Sequence, residues 1–128
     1  MRILILNSES ETSAQWARAL GARGHSVSVC YIPDDAMQML RSECFDLLIF
    51  DILVGEGSGL GVALLGEFHQ PNCAAMLVSN FVPAFQQELF SRLSRLKVVI
   101  GRGSPIDDLV MFAESCVDED ARISLGAA

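Results

Sequence analysis

The sequence has few positive charges, and this scarcity excludes several classes of function. Its 128 residues include 9 lysines and arginines against 16 aspartates and glutamates, a formal net charge of −7, and Lys97 is the single lysine. Binding to nucleic acid through phosphate contacts requires clustered cations, and an anionic lipid surface would repel so acidic a chain. We therefore expect neither a nucleic-acid partner nor a membrane partner for this domain.

Long apolar runs and paired cysteines are also missing. Runs such as residues 73–78 fall far short of the roughly 20 residues that cross a bilayer, and the apolar stretch after Arg2 is too short for a signal peptide. The four cysteines are widely spaced, with no C-x-x-C pair and no nearby histidine, which indicates buried, inert thiols rather than a zinc site. These absences predict a cytoplasmic protein.

What the chain does have is enough apolar sequence for one domain. It is 51% hydrophobic, and a chain of this length can bury a core without disulfides or metals. Short, near-continuous apolar runs, typical of strands covered on both faces, alternate with segments of helical periodicity. The predicted strands are 3–6, 27–32, 45–51, 74–79 and 98–100. The predicted helices are 11–23, one from 33, 58–69, one from 83, and one from 105 to about 119.

This alternation predicts an α/β fold of the (βα)5 type, a doubly wound five-stranded parallel sheet with helices on both faces. In open sheets of this kind, the functional site lies beyond the carboxyl ends of the strands. The candidate residues are therefore 7–9 after the first strand, Asp51 at the end of the third, Ser79 at the end of the fourth, and 101–105 after the fifth.

Asp51 is the most informative of these candidates. It ends a buried strand, where a carboxylate is costly unless it is solvated, paired or used. An exposed aspartate can act as a nucleophile toward a phosphoryl group. The alternative interpretation is a strand-end aspartate that caps a loop amide. Gly59 follows eight residues later, where a helix is predicted to begin.

With the five-strand layout, Asp51 and Gly59 resemble the receiver domain of two-component response regulators, over about residues 2–120. The resemblance implies the flavodoxin-like receiver fold with strand order 2-1-3-4-5, with residues 1–122 as the domain and 123–128 as a C-terminal tail. It implies a role in phosphorelay signal transduction, with a sensor histidine kinase or a phosphotransfer protein as partner.

The resemblance assigns roles to several residues. Asp51 matches the phosphoacceptor, and Ser79 matches the switch hydroxyl that hydrogen-bonds the phosphoryl group. Gly59 matches the loop glycine of the family, and Pro105 matches the proline after the fifth strand. A serine at a strand end is also ordinary turn chemistry, so Ser79 is informative only together with Asp51.

Three of the site positions depart from the family pattern. The two acids of the family fall on Asn7 and Ser8, only Glu9 is still acidic, and the lysine of the family falls on Ser104. The family holds Mg²⁺ with the acid pair and the phosphoacceptor, and Mg²⁺ prefers carboxylate and phosphate oxygens. A metal site of Asp51, Glu9, Asn7 and Ser8 would be weak or lost. We therefore expect weak or absent Mg²⁺-dependent phosphorylation.

Arg102 offers a substitute cation. If the chain stays extended after the fifth strand, Arg102 and Ser104 point to the same side. Arg102 would then present its guanidinium to Asp51 or to a bound anion. The alternative is a solvated loop arginine, because Gly101 and Gly103 leave the local geometry open.

Other functions remain as alternatives. A phosphorylation-independent pseudo-receiver would act as a dimerisation or docking module through helix 4, strand 5 and helix 5. Aromatic, basic and acidic residues mark that surface: Phe81, Phe85, Phe90, Arg92, Arg95, Lys97, Asp107, Asp108, Glu114, Asp118 and Glu119. These charges suit a homodimer, although ordinary solvated helix faces also explain them. FMN binding is disfavoured because residues 7–13 carry two acids and no glycine. An enzyme is disfavoured because neither histidine is placed near Asp51 or Ser79.

Overall fold

A parallel β-sheet covered by helices forms the centre of the protein. The computed structural model describes residues 1–80, 86–116 and 123–124. The strands are β1 (Arg2–Leu6), β2 (Ser26–Cys30), β3 (Leu47–Phe50), β4 (Leu53–Val54), β5 (Gly57–Ser58), β6 (Ala74–Ser79), β7 (Leu96–Gly101) and β8 (Ile123–Ser124). The helices are α1 (Ser10–Ala22), α2 (Pro33–Ser42), α3 (Gly59–His69), α4 (Gln86–Arg92) and α5 (Ile106–Ser115).

The strand order of the main sheet is β2-β1-β3-β6-β7-β8, and all its described pairings are parallel. Its first five strands confirm the predicted order 2-1-3-4-5 and the (βα)5 fold. Two features differ from the sequence prediction. A short antiparallel hairpin, β4–β5, follows β3. Ile123–Ser124 pair with Val98 and Val99 as an edge strand instead of belonging to a tail, since β7 offers an unpaired edge to any short extended segment.

The core consists of two apolar layers, one on each face of the sheet. Alternate residues of β1 point to opposite faces. Leu4 and Leu6 pack into the layer covered by α2, α3 and α4, whereas Ile3 and Ile5 pack into the layer covered by α1 and α5. Trp16 of α1 is buried in this second layer. Burial on both faces explains why the strands are apolar without polar alternation.

The helices agree with the predicted segments within a few residues. The predicted start of the fourth helix at 83 and the predicted end of the last near 119 lie outside the described residues, as do Phe81, Phe85, Asp118 and Glu119. Within the described parts of the chain, none of the helices has both the length and the apolar character that a bilayer crossing requires.

The cysteines only partly match the prediction of buried thiols. Cys30, Cys73 and Cys116 are buried, but Cys44 is exposed. Burial raises the pKa of the Cys73 thiol to about 12 and that of the Cys116 thiol to about 12. These two thiols are therefore inert at neutral pH, whereas Cys44 lies in the loop between α2 and β3, where nothing in the sequence pattern indicated exposure.

A charged cluster joins the turn after α1 to α5. Arg23 Nη2 lies 3.0 Å from Glu114 Oε1, and His25 Nε2 lies 2.9 Å from Glu114 Oε2. His25 Nδ1 also lies 3.1 Å from the amino group of Met1. His25 therefore links the N-terminus to α5. The hydrogen bonds from Arg23 and then from His25 lower the pKa of Glu114.

This pKa shift makes a testable contribution to stability. A carboxylate with a lowered pKa in the folded state stabilises the fold above its unfolded pKa and loses this effect as pH falls through the folded pKa. We expect Glu114→Gln to lower the urea midpoint at pH 7. The difference from the wild type should disappear as the pH falls below about 4. A difference that stays constant from pH 7 to pH 3 would contradict this account.

Candidate functional site

Four candidate residues converge at the carboxyl edge of the sheet. Asn7 follows β1, Asp51 follows β3, Ser79 ends β6 and Arg102 follows β7, and these strands are neighbours in the sheet. The amide of Arg102 donates to the carbonyl of Ser79 over 2.6 Å, which ties the last two residues together. The edge predicted from strand order is therefore where these side chains meet.

Arg102 is the centre of this cluster. Its Nη1 lies 3.1 Å from Glu9 Oε1 and 3.9 Å from Asp51 Oδ2. Its Nη2 donates to Asn7 Oδ1 over 2.5 Å. The Arg102 side chain is only 11% exposed, so it is not a solvated loop arginine. The single positive charge of the guanidinium is therefore shared by two carboxylates and one amide oxygen.

Asp51 has a neighbour at each of its oxygens. Oδ1 accepts a hydrogen bond of 2.7 Å from the amide of Ile52, and Oδ2 faces Arg102. The first contact is the loop-amide cap of the alternative interpretation, and the second is the pairing with a substitute cation. Because the Asp51 side chain is 13% exposed, both contacts offset the cost of keeping a carboxylate out of water.

Gly59 allows the backbone at Asp51 to adopt this position. Its amide donates to the carbonyl of Ile52 over 2.8 Å, and a Cβ built on Gly59 would lie 1.7 Å from the carbonyl oxygen of Asp51. Ser58 then caps α3 by accepting a hydrogen bond from the amide of Gly61 over 3.0 Å. A glycine eight residues after Asp51 is therefore a steric requirement of this loop.

The other candidates have different surroundings. Ser79 is buried at the edge. Ser8 is exposed, and Glu9 is exposed apart from its contacts with Arg102 and with Thr12 Oγ1, which donates to Glu9 Oε2. Ser104 closes a turn in which its amide donates to the carbonyl of Gly101 over 3.1 Å. Ser104 has no ammonium group, so the cation at this site is Arg102, two residues earlier.

The residues present do not fit the Mg²⁺ ion that the resemblance implies. Mg²⁺ prefers an octahedron of oxygen ligands, usually carboxylates, phosphates and waters. Asn7 Oδ1 already accepts hydrogen bonds from the amide of Glu9 and from Arg102. Within the described structure, Asn7 Nδ2 is a buried donor that lacks a partner. A divalent cation beside Asp51 would lie against the guanidinium, and this repulsion disfavours binding.

The hairpin beside this edge was missed in the sequence. Leu53 pairs with Ser58, and Gly55 adopts φ +59° at the turn, where glycine is favoured. Gly57 lies against the first residue of α2, since a Cβ there would come within 2.6 Å of Pro33 Cγ. The Gly-x-Gly spacing was the available signal, but two-residue strands are too short for a periodicity argument.

Comparison with known proteins identifies the fold. No protein-family model matches the chain, and no curated protein matches it either. A receiver domain protein from Methanospirillum hungatei is similar in structure, with a TM-score of 0.82, 19% identity and coverage of 92% of this chain and 94% of that one. The N-terminal domain of a response regulator/sensory box/GGDEF protein from Carboxydothermus hydrogenoformans matches with a TM-score of 0.81, 18% identity and coverage of 92% and 94%.

A third similar structure is a response regulator from Burkholderia pseudomallei that contains a phosphorylated aspartic acid, a calcium ion and citrate. It matches with a TM-score of 0.77, 16% identity and coverage of 92% of this chain and 69% of that one. These likenesses show that the chain has the response regulator receiver fold. At such low identity, the fold is what they show.

Proposed function

We propose that this chain is a receiver domain of phosphorelay signal transduction in which Arg102 replaces both the divalent cation and the lysine beside the candidate phosphoacceptor Asp51. Its Mg²⁺-dependent phosphorylation is weak or absent. The observation that carries this proposal is the Arg102 guanidinium, which lies between Glu9 and Asp51 and is fixed by Asn7.

The chemistry explains why this arrangement impairs phosphorylation. In the transfer, an oxygen of Asp51 forms a bond to phosphorus while the bond from phosphorus to the leaving group of the donor breaks. Negative charge on the transferring group must be neutralised, and the loss of a single charge-stabilising donor typically costs 10²–10³-fold in rate. Arg102 supplies one positive charge, and that charge is already shared by two carboxylates.

The remaining properties follow from the receiver role. A sensor histidine kinase or a phosphotransfer protein is the proposed partner, and a cytoplasmic location is consistent with that partner. The protein is proposed to have no enzymatic activity. His25 contacts Glu114 and the N-terminus, and the ring of His69 lies against Phe68, so both histidines are engaged outside the Asp51 cluster.

The proposal is tested by incubating the protein with acetyl phosphate and Mg²⁺ and measuring its intact mass. We expect no stoichiometric mass gain over hours for the wild type or for Asp51→Asn. Stoichiometric gain of one phosphoryl group within minutes, absent in Asp51→Asn, would overturn the impaired phosphorylation while supporting Asp51 as the acceptor.

A phosphorylation-independent docking role is the second candidate, because Arg102 already places a positive charge beside Asp51 without a phosphoryl group. The homodimer through α4, β7 and α5 stays a prediction. Part of its charge is used within the chain: Lys97 is buried, Arg95 donates to the carbonyl of Asn72, and Glu114 pairs with Arg23. The charges alone therefore give this surface less support than the sequence suggested.

A further inference from the structure

Helix α3 is apolar on its outer face as well as on its inner face. Val62, Ala63 and Gly66 are buried on the inner face, where Gly66 allows close packing against Leu40 of α2. Leu64 and Phe68 lie on the outer side, 46% and 80% exposed. Leu60 also packs against the core, so α3 is apolar on its inner and outer sides, whereas a solvated surface helix is polar on its outer side.

The outer residues form one continuous stripe, which we call the α3 stripe: Gly61, Leu64, Leu65 and Phe68. They are spaced i, i+3, i+4 and i+7, so they share one side of the helix. Glu67 is the single carboxylate of α3, and its Oε1 accepts hydrogen bonds of 2.6 Å from Ser94 Oγ and from the amide of Arg95. The α3 stripe therefore contains no charge.

We propose that the α3 stripe binds a second copy of this chain, in a two-fold symmetric contact of two antiparallel α3 helices. The stripe is self-complementary about the point between Leu64 and Leu65. In an antiparallel pair centred there, Leu64 meets Leu65 of the partner subunit, and Phe68 meets Gly61 of the partner subunit. The Phe68 ring of each copy thus lies over a residue without a side chain. Both copies contribute the same patch, as in an isologous interface.

The surroundings of Gly61 support this fit. A Cβ on Gly61 would meet nothing closer than Ser58 Oγ at 3.6 Å and Ser58 Cβ at 3.8 Å. Among the described residues, no contact therefore requires a glycine at this position. A glycine at this end of the stripe leaves space for the approach of another side chain.

Charge and area favour a second copy and a weak contact. Two chains of net charge −7 repel each other, so an uncharged face is where they can approach. The exposed parts of Leu64, Leu65 and Phe68 amount to roughly 300 Å² per copy, against about 800 Å² in a standard interface. We therefore expect a transient dimer with a dissociation constant in the micromolar range or weaker. This contact does not depend on the proposed function of Asp51.

Sedimentation velocity over a wide concentration range tests the proposal. We expect the wild type to shift from monomer to dimer as concentration rises. Phe68→Glu, which places a charge on the stripe, and Gly61→Leu, which fills the space opposite Phe68, should each weaken association at least tenfold. Met111→Glu is the matched control, because Met111 is an exposed apolar residue of α5, and this variant should associate like the wild type.

Disulfide cross-linking between two copies is a second measurement, and it detects the contact without a substitution that disrupts it. In a Cys44→Ser background, Leu65→Cys lies near the two-fold axis and should form a disulfide-linked dimer on oxidation, whereas Met111→Cys should not. A wild type that stays monomeric at every concentration would overturn the proposal. Association that Met111→Glu abolishes, or that both stripe variants leave intact, would also overturn it.

Discussion

Replacing Asn7 and Ser8 with aspartate, Ser104 with lysine and Arg102 with alanine is expected to raise the rate of Asp51 phosphorylation about 10³-fold or more. The acidic side chains restore oxygen ligands for Mg²⁺, and the lysine restores a cation for the transferring group. Removing Arg102 takes away the guanidinium that now faces Asp51 Oδ2. The measurement is intact mass against time with acetyl phosphate, with and without Mg²⁺.

Two controls separate this gain from non-specific modification. We call the variant with these four replacements the rebuilt chain. The rebuilt chain with Asp51→Asn should show no mass gain. Arg102→Ala alone should be phosphorylated slowly, because it restores neither the acid pair nor the lysine. Circular dichroism and Trp16 fluorescence establish that each variant is folded. A folded rebuilt variant that is modified no faster than the wild type would contradict the role assigned to these positions.

Gly59→Ala is expected to destabilise the fold by about 3 kcal/mol. The new Cβ would lie 1.7 Å from the carbonyl oxygen of Asp51, so the end of β3 or the start of α3 must move. Because the close contact is with backbone, no rotation of a side chain relieves it. Urea unfolding at low protein concentration, followed by Trp16 fluorescence, measures the change in the free energy of unfolding.

Gly61→Ala is the matched control for this substitution. It lies in the same helix, and its added Cβ meets only Ser58 at ordinary contact distance. The loss of a helical glycine should stabilise the fold by about 0.5–1 kcal/mol. If the two substitutions had equal effects on the free energy of unfolding, the close approach of Gly59 to Asp51 would not explain the glycine at this position.

The fold could be predicted from the sequence because its signals are long and repeated. Buried parallel strands require near-continuous apolar runs, and Ala74–Ser79 was located to the residue. The elements that were missed are short. The β4–β5 hairpin and β8 have two residues per strand, and no periodicity exists at that length. These short strands form because another strand offers unpaired backbone groups beside them, and their own side chains give little indication of it.

The edge that carries the site could also be predicted, but its internal contacts could not. Strand order places Asn7, Asp51, Ser79 and Arg102 at one edge. The alternation of side chains after β7 allowed Arg102 to point toward Asp51, yet the flanking glycines favoured a solvated arginine. The decisive contact is the hydrogen bond from Arg102 to Asn7 Oδ1. That contact joins residues 95 positions apart, which local sequence cannot reveal.

Histidine and cysteine positions illustrate the same limit. His25 follows a helix in a glycine-containing loop, which is typical of surface residues, but the fold brings Glu114 of α5 to within 2.9 Å of it. Cys44 lies next to the buried Phe45 and is nevertheless exposed. The environment of His25 comes from a segment distant in the chain, and the exposure of Cys44 is not indicated by its buried neighbour.

The central claim is that Arg102 occupies the place of a divalent cation beside Asp51. Calorimetric titration of the wild type with Mg²⁺, with Asp51→Asn and the rebuilt chain in parallel, tests it most directly. We expect no saturable heat for the wild type, none for Asp51→Asn, and saturable binding for the rebuilt chain. Saturable binding of one Mg²⁺ to the wild type that Asp51→Asn abolishes would contradict the claim.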